Sequence, residues 1–143
     1  MIWRSRALWA GVLLAGAARV GLAQEPDSLA VAVERARQAW LAHDVRALVA
    51  SSDTVRLRVP GVAMNHSMRP AQAARLLEQY LEASKEEALD LREIRPVGEG
   101  HAYAELERHY AVRGTEDRRA ETVFFGFRQV DGRWRLREVR IAP

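Results

Sequence analysis

The carboxy-terminal stretch FRQVDGRWRLREVRI, residues 127–141, decides the fold. Asp131-Gly132 is a two-residue connection between apolar-patterned runs, and its positive φ angles suit the right-handed twist of an antiparallel hairpin. Residues 119–130 and 133–141 are therefore predicted to be paired strands. Within the second run, Trp134 and Leu136 share a face, whereas Val139 and Ile141 have the opposite parity. A bulge near Arg137-Glu138 brings all four to one side. Gly126, in the middle of the preceding run, is a place where a sheet can bend sharply.

The same pattern continues towards the amino terminus. Residues 88–95 are closed by PVGEG, and residues 101–113 by GTED. Short turns require antiparallel neighbours, so the last third of the chain is predicted to be a four-stranded meander. Ahead of it, Val55, Leu57 and Val59 alternate with Thr54, Arg56 and Arg58, a strand with one wet face that Pro60-Gly61 stops. A short strand or turn follows to about His66. In NHSMRPAQAARLLEQYL, residues 65–81, Pro70 suits the first turn of a helix, where amides have no partners in any case. Ser67 or Arg69 precedes it, and Ala73, Leu77, Tyr80 and Leu81 form its buried stripe. An earlier helix spans residues 29–41, with Leu29, Val33, Ala36 and Trp40 on one face. His43-Asp44 ends it, and Asp44 is placed to cap a short helix over residues 45–50.

The amino terminus reads as a secretory leader. MIWRSR is a basic head, ALWAGVLLAGAA an apolar stretch, and Gly21 and Ala23 a small-residue cleavage pattern, so residues 1–23 are expected to be removed after Ala23. The apolar stretch is shorter than the roughly 20 residues of a membrane span, and no cysteine follows it for lipid attachment. The expectation is a periplasmic or secreted protein with no stable membrane anchor after cleavage. Its domain spans residues 24–143, long enough to bury somewhat under about 70% of its unfolded surface. Arg4, Arg6 and Arg19 leave with the leader, bringing the 22 basic residues down to 19, level with the 19 acidic ones. A formally neutral chain gives no reason to expect nucleic-acid binding. The absence of cysteine leaves neither disulfide nor thiolate chemistry.

The order of helix, short helix introduced by HD, strand, helix and meander ending in DGRWRLREVRI resembles the nuclear transport factor 2-like superfamily. That superfamily includes ketosteroid isomerase and the SnoaL-like polyketide cyclases. VPGVAMNHSMRPAQAARLLEQYL, followed by the final hairpin, is similar to a branch of secreted bacterial domains of unknown function. The resemblance spans Leu29 to Ile141. It implies an α+β, cystatin-like cone, in which a curved antiparallel sheet wraps around N-terminal helices and encloses a cavity. The carboxylate, phenol and protonated acid of the isomerases have no residue-by-residue match here.

Few residues stand out as chemical candidates. His101 and His109 share a strand face but lie eight residues apart, about 27 Å at strand rise, too far for one ion. His43 and His66 fall in separate loops, so no metal and no cofactor is expected. Ser51, Ser52, Ser67 and Ser84 lie at helix ends or turns, where serine commonly caps. Asn65-His66-Ser67 matches a glycosylation acceptor, to which the bacterial character of the leader gives no weight.

Arg108 is the exception, because it falls among Ala102, Ala104, Leu106, Tyr110 and Val112 on a core-facing row. A charge there must be paired or reach water. It marks either a pocket cation for a small apolar or weakly anionic ligand, or a structural pair, with Glu138 as the suggested partner. Trp40, His66, Tyr80, Arg108, Tyr110 and Glu138 are therefore the candidate ligand-binding residues. Phe124 opposes Val123, Phe125 and Phe127 on their strand, which points either to covered faces on both sides of the sheet, with a homodimer through the convex one, or to a Phe124 that packs near an edge.

The function expected is an exported, non-catalytic small-molecule-binding or interaction domain. The alternative is an isomerase, cyclase or dehydratase using an acid–base group in the cone, for which Glu138 and His66 are the candidates. No catalytic residue is assigned.

Overall fold

Ser28 accepts a hydrogen bond from the Val31 amide at 3.2 Å and so starts α1, Leu29–Leu41. The structure, a computed structural model, describes residues 28–143. The expected leader and its cleavage site lie outside the described residues. Ala32, Val33, Ala36 and Trp40 form the buried face of α1. The helix ends at Leu41, and His43, with a φ of 53°, turns the chain. Asp44 then caps α2, Val45–Val49, accepting from the Ala47 amide at 3.1 Å. After β1 (Val55–Val59) and β2 (Ala63–Met68), α3 runs Pro70–Leu81. Pro70 stands in its first turn as the spacing predicts, and Arg69 precedes it without a side-chain cap. No helix among the described residues is long and apolar enough to cross a membrane.

The remaining chain forms β3 (Ser84–Pro96), β4 (His101–Val112), β5 (Arg118–Val130) and β6 (Arg133–Ala142). The four make the expected antiparallel meander. Asp131 and Gly132 take φ angles of 52° and 76°, both positive as the hairpin requires. The register slips between Gly126 and Phe127, which face Glu138 and Leu136, so Arg137 is the extra residue of a bulge. That slip puts Leu136, Val139 and Ile141 together in the core, with Trp134 packed against them.

The whole sheet runs β2-β1-β6-β5-β4-β3, curved and unclosed. It is mixed rather than wholly antiparallel, because β1 lies parallel to β6. Nearly the whole domain separates these two strands, so no tight turn dictates their direction. Strand β3 also begins four residues before the apolar pattern does. Its opening, Ser84 to Glu87, is polar in composition, and its pairing with the end of β4 overrides that.

The inner face carries Val55, Leu57, Val59, Leu89, Ala104, Leu106, Val123, Phe125 and Phe127, all buried in one core with the three helices. Burial of each large side chain contributes about 1.5–3 kcal/mol. The outer face is mostly polar, and Gly126 stands on it without a side chain. A Cβ built there would stand 3.0 Å from Glu138 Cβ and 3.0 Å from Tyr103 Cε1. The Tyr103 ring thus lies down on bare backbone. Gly126→Ala is expected to destabilise the domain by about 1–3 kcal/mol, the usual cost of overpacking. A urea titration checks this, and an unchanged midpoint would show that the close approach is unimportant.

Candidate functional site

The inner row of β4 delivers Arg108 to the core, where 1% of it is exposed. Residue pairing places Glu121 of β5 directly across from Arg108, and Glu86 of β3 across from Tyr110. The guanidinium therefore arrives between two carboxylates. Its Nε donates to Glu86 at 2.9 Å, one Nη donates to the Ser84 hydroxyl at 2.6 Å, and the other donates to Glu121. The carboxylates have further donors. Trp40 Nε1 donates to Glu86 at 3.1 Å, and the Tyr80 hydroxyl donates to Glu121 at 2.8 Å. His43 Nε2 lies 3.2 Å from Glu86 at the partly exposed rim. Aromatic rings complete the enclosure, with Cζ of Arg108 at 3.9 Å from the Tyr110 centroid, 5.4 Å from Trp40 and 5.7 Å from Tyr80.

Two carboxylates against one guanidinium make an unusual buried group. Removing such charges from water is expensive, and it is tolerated only where hydrogen bonds satisfy each one. Burial alone would raise the Glu86 pKa, but the hydrogen bonds and charge of Arg108, with His43 and Trp40, hold it below the ordinary carboxylate value. The Tyr80 phenol is pushed well above its usual range by burial and by its bond to Glu121, so it stays a donor. Glu86 is thereby favoured as a carboxylate and Tyr80 as a phenol, the opposite of a free acid or base.

Of the six candidate residues, four come together: Trp40, Tyr80, Arg108 and Tyr110 all surround this cluster. The other two do not. His66 is exposed on β2 at the edge of the sheet. Glu138 points to the outer face, where it accepts from the Tyr103 hydroxyl at 2.7 Å. Arg108 pairs with Glu86 and Glu121 and not with Glu138, because β6 presents Glu138 on the face opposite to buried Val139. The sequence reading missed both true partners. Counting residue pairs back from the GTED turn would have found Glu121, since Ala111 faces Arg118 and Arg108 then faces Glu121. Glu86 carried no such signal, lying in a polar segment beyond a bulge.

The interior hollow that the resemblance implies is occupied by these side chains. Between α1, α2 and the β5–β6 hairpin there remains a gap of about 30 Å³, room for a water or two. A larger recess, about 300 Å³, lies on the outer face, lined by Tyr103, Glu105, Phe124, Glu138 and Arg140 together with the end of β3. Phe124 is covered there by Arg140, whose Cζ lies 4.1 Å from the ring centroid. An aromatic on the outer face is thus partly covered within the chain itself and still lines the recess.

Helices set against the inner face of an open, strongly bent, mixed sheet define the class as an α+β cone. The fold is that of the nuclear transport factor 2-like superfamily. No family model matches the sequence, and no curated protein matches it. Solved structures do. A ketosteroid isomerase-like protein from Erwinia carotovora atroseptica superposes with a TM-score of 0.63 at 16% identity, covering 83% of this chain and 95% of that one. A DUF4783 family protein from Bacteroides ovatus gives 0.60 at 11% identity, over 82% and 94% of the two chains. An LEH-like epoxide hydrolase from M. tuberculosis gives 0.54 at 20% identity, over 77% of each. Identities this low speak for the fold alone.

The cluster makes a signed prediction about pH. Because the folded Glu86 pKa is depressed, its contribution is present above the unfolded value near 4.3 and is lost as pH falls through the lower folded value. Arg108→Met strands two carboxylates and is expected to cost about 3–5 kcal/mol at neutral pH. It also inverts the pH dependence of the Glu86 contribution, since burial without the cation favours the protonated carboxyl. Denaturant unfolding of both proteins from pH 7 down to about pH 2.5 checks this. A variant that still loses stability towards acid would contradict the assignment.

Proposed function

We propose that this chain is an exported, non-catalytic binding domain whose working surface is the outer face of the sheet. One observation carries this reading: the inner side of the cone is filled by the chain's own cation. Arg108 takes up both Glu86 and Glu121, and three aromatic rings close around it. The polar groups that other cones could turn towards a guest are here turned towards each other. The outer face, in contrast, offers a recess with charged and aromatic walls. Its volume lies at the small end of the range for ligand pockets.

The alternative from the sequence, an isomerase, cyclase or dehydratase, needs a carboxylate or histidine held free in a desolvated cavity. Glu86 and Glu121 are committed to Arg108, Trp40 and Tyr80. Glu138 and His66 lie outside the interior. These placements favour binding over acid–base chemistry.

The occupant of the outer face is either a small molecule or a second copy of the chain. Native mass spectrometry of the mature protein released from its own cells tests the reading. The expected result is a retained species that is lost on Arg140→Gln, with the melting temperature unchanged. A species that survives this replacement, or a bare monomer before it, would overturn the outer face as the working surface.

A further inference from the structure

The outer recess is built from two cross-strand rows of side chains. One row runs Arg58, Arg140, Phe124, Glu105, Glu93, and the other Arg56, Glu138, Gly126, Tyr103, Arg95. In the second row the Tyr103 hydroxyl donates to Glu138 at 2.7 Å across the bare Gly126. Arg95 reaches over to Glu93 at 3.0 Å. These bonds use up three of the charges that line the hollow. Two remain, Arg140 and Glu105, and among the described residues neither has an ion-pair partner.

Their positions are unfavourable in the chain alone. Arg140 faces Arg58 on the neighbouring strand, and Glu105 faces Glu93 directly. Like charges opposite one another destabilise a sheet. Arg140 is nevertheless stacked on Phe124, with its Nε buried and without a hydrogen-bond partner. A stacked guanidinium is a better carboxylate receptor than a free one, because less side-chain entropy is lost when it binds. Phe124 separates this cation from the Glu105 carboxylate and supplies an apolar floor, with Tyr103 and Val97 at the sides.

We propose that the recess binds a small zwitterion of dipeptide size, its carboxylate on Arg140, its ammonium on Glu105 and its apolar body over Phe124. The proposal rests on the outer face being the working surface and specifies the ligand for it. The length follows from the sheet. Arg140 and Glu105 stand two strands apart, roughly 10 Å at the backbone. An extended dipeptide spans up to about 7 Å, and the two side chains reach across the rest. A ligand with only one charge would leave the other residue facing its like-charged neighbour. The convex outer face of a second copy would touch the rows over a narrow strip and would leave the hollow between them unfilled.

The test uses the mature chain and four dipeptides: alanyl-phenylalanine, its N-acetyl form, its C-terminal amide and the doubly capped form. Binding is followed by calorimetry and by backbone amide shifts. The zwitterion is expected to bind, with shifts centred on Tyr103, Phe124 and Gly126. Each single cap is expected to weaken binding about tenfold or more, as loss of a charge-assisted hydrogen bond does. Arg140→Gln should then stop discriminating against the amide while still rejecting the N-acetyl form, and Glu105→Gln should do the reverse.

Equal binding of capped and free peptides would overturn the proposal. So would shifts elsewhere on the molecule, or no binding at all. A dimer closed over this face, seen by sedimentation and undisturbed by the zwitterion, would overturn it as well. Failure of the dipeptides beside a different small molecule retained in native mass spectrometry would sink this ligand assignment alone and leave the outer-face reading standing.

Discussion

The rest of the structure is arranged around one guanidinium held between two carboxylates inside an apolar shell. Arg108 is supplied by β4, Glu86 by β3, Glu121 by β5, Trp40 by α1 and Tyr80 by α3. Each partner comes from a different element, so the cluster forms only when the sheet has bent over the helices in the correct register. A one-residue slip between β4 and β5 would send Arg108 to water and bring His109 or Glu107 inward. Apolar side chains of similar volume could fill the same space with comparable stability. What they would lack is the directionality that ties five elements to one arrangement.

The interior and the exterior of the sheet then have complementary roles. Inside, charge is neutralised within the chain, and the surroundings favour Glu86 as a carboxylate and Tyr80 as a phenol. Outside, Gly126 lets Tyr103 lie flat and reach Glu138, which clears a hollow beside Arg140 and Glu105. Both features trace to β4 and β5, whose alternating residues serve one face each. Arg108 and Glu105 are on the same strand, yet one is sealed by partners and the other left facing a like charge. A fold whose inner side is closed can still present a shaped surface, and here that surface is the convex one.

Much of the fold was legible in the sequence because local signals agreed with the global arrangement. Asp131-Gly132 set the hairpin, the parity break between Leu136 and Val139 set the bulge, and Pro70 set the start of α3. The parallel pairing of β1 with β6 left no local trace, since neither strand's composition records the direction of a distant neighbour. The site was half legible. A lone arginine on an apolar row required a partner, and the three aromatic residues around it, Trp40, Tyr80 and Tyr110, were found, whereas its two carboxylate partners were not. The partner proposed, Glu138, was excluded by the very bulge that the sequence predicted, which puts Val139 inside and Glu138 outside. Glu86 was hidden because SKEE is polar in composition and lies ahead of the apolar alternation, and only pairing with β4 makes it strand. The outer recess was beyond reach, because it depends on one ring lying over one glycine on the strand between the two charges it exposes.

The most direct measurement of the central claim is hydrogen exchange at arginine Nε in a proton–nitrogen correlation spectrum. If Arg108 is locked between Glu86 and Glu121, its Nε proton, assigned by its loss in Arg108→Lys, exchanges as slowly as the backbone amides of β4 and β5. An Arg108 Nε proton that exchanges at the rate of the exposed arginines would mean that the interior is open to water, and the account of a cone filled by its own cation would be wrong.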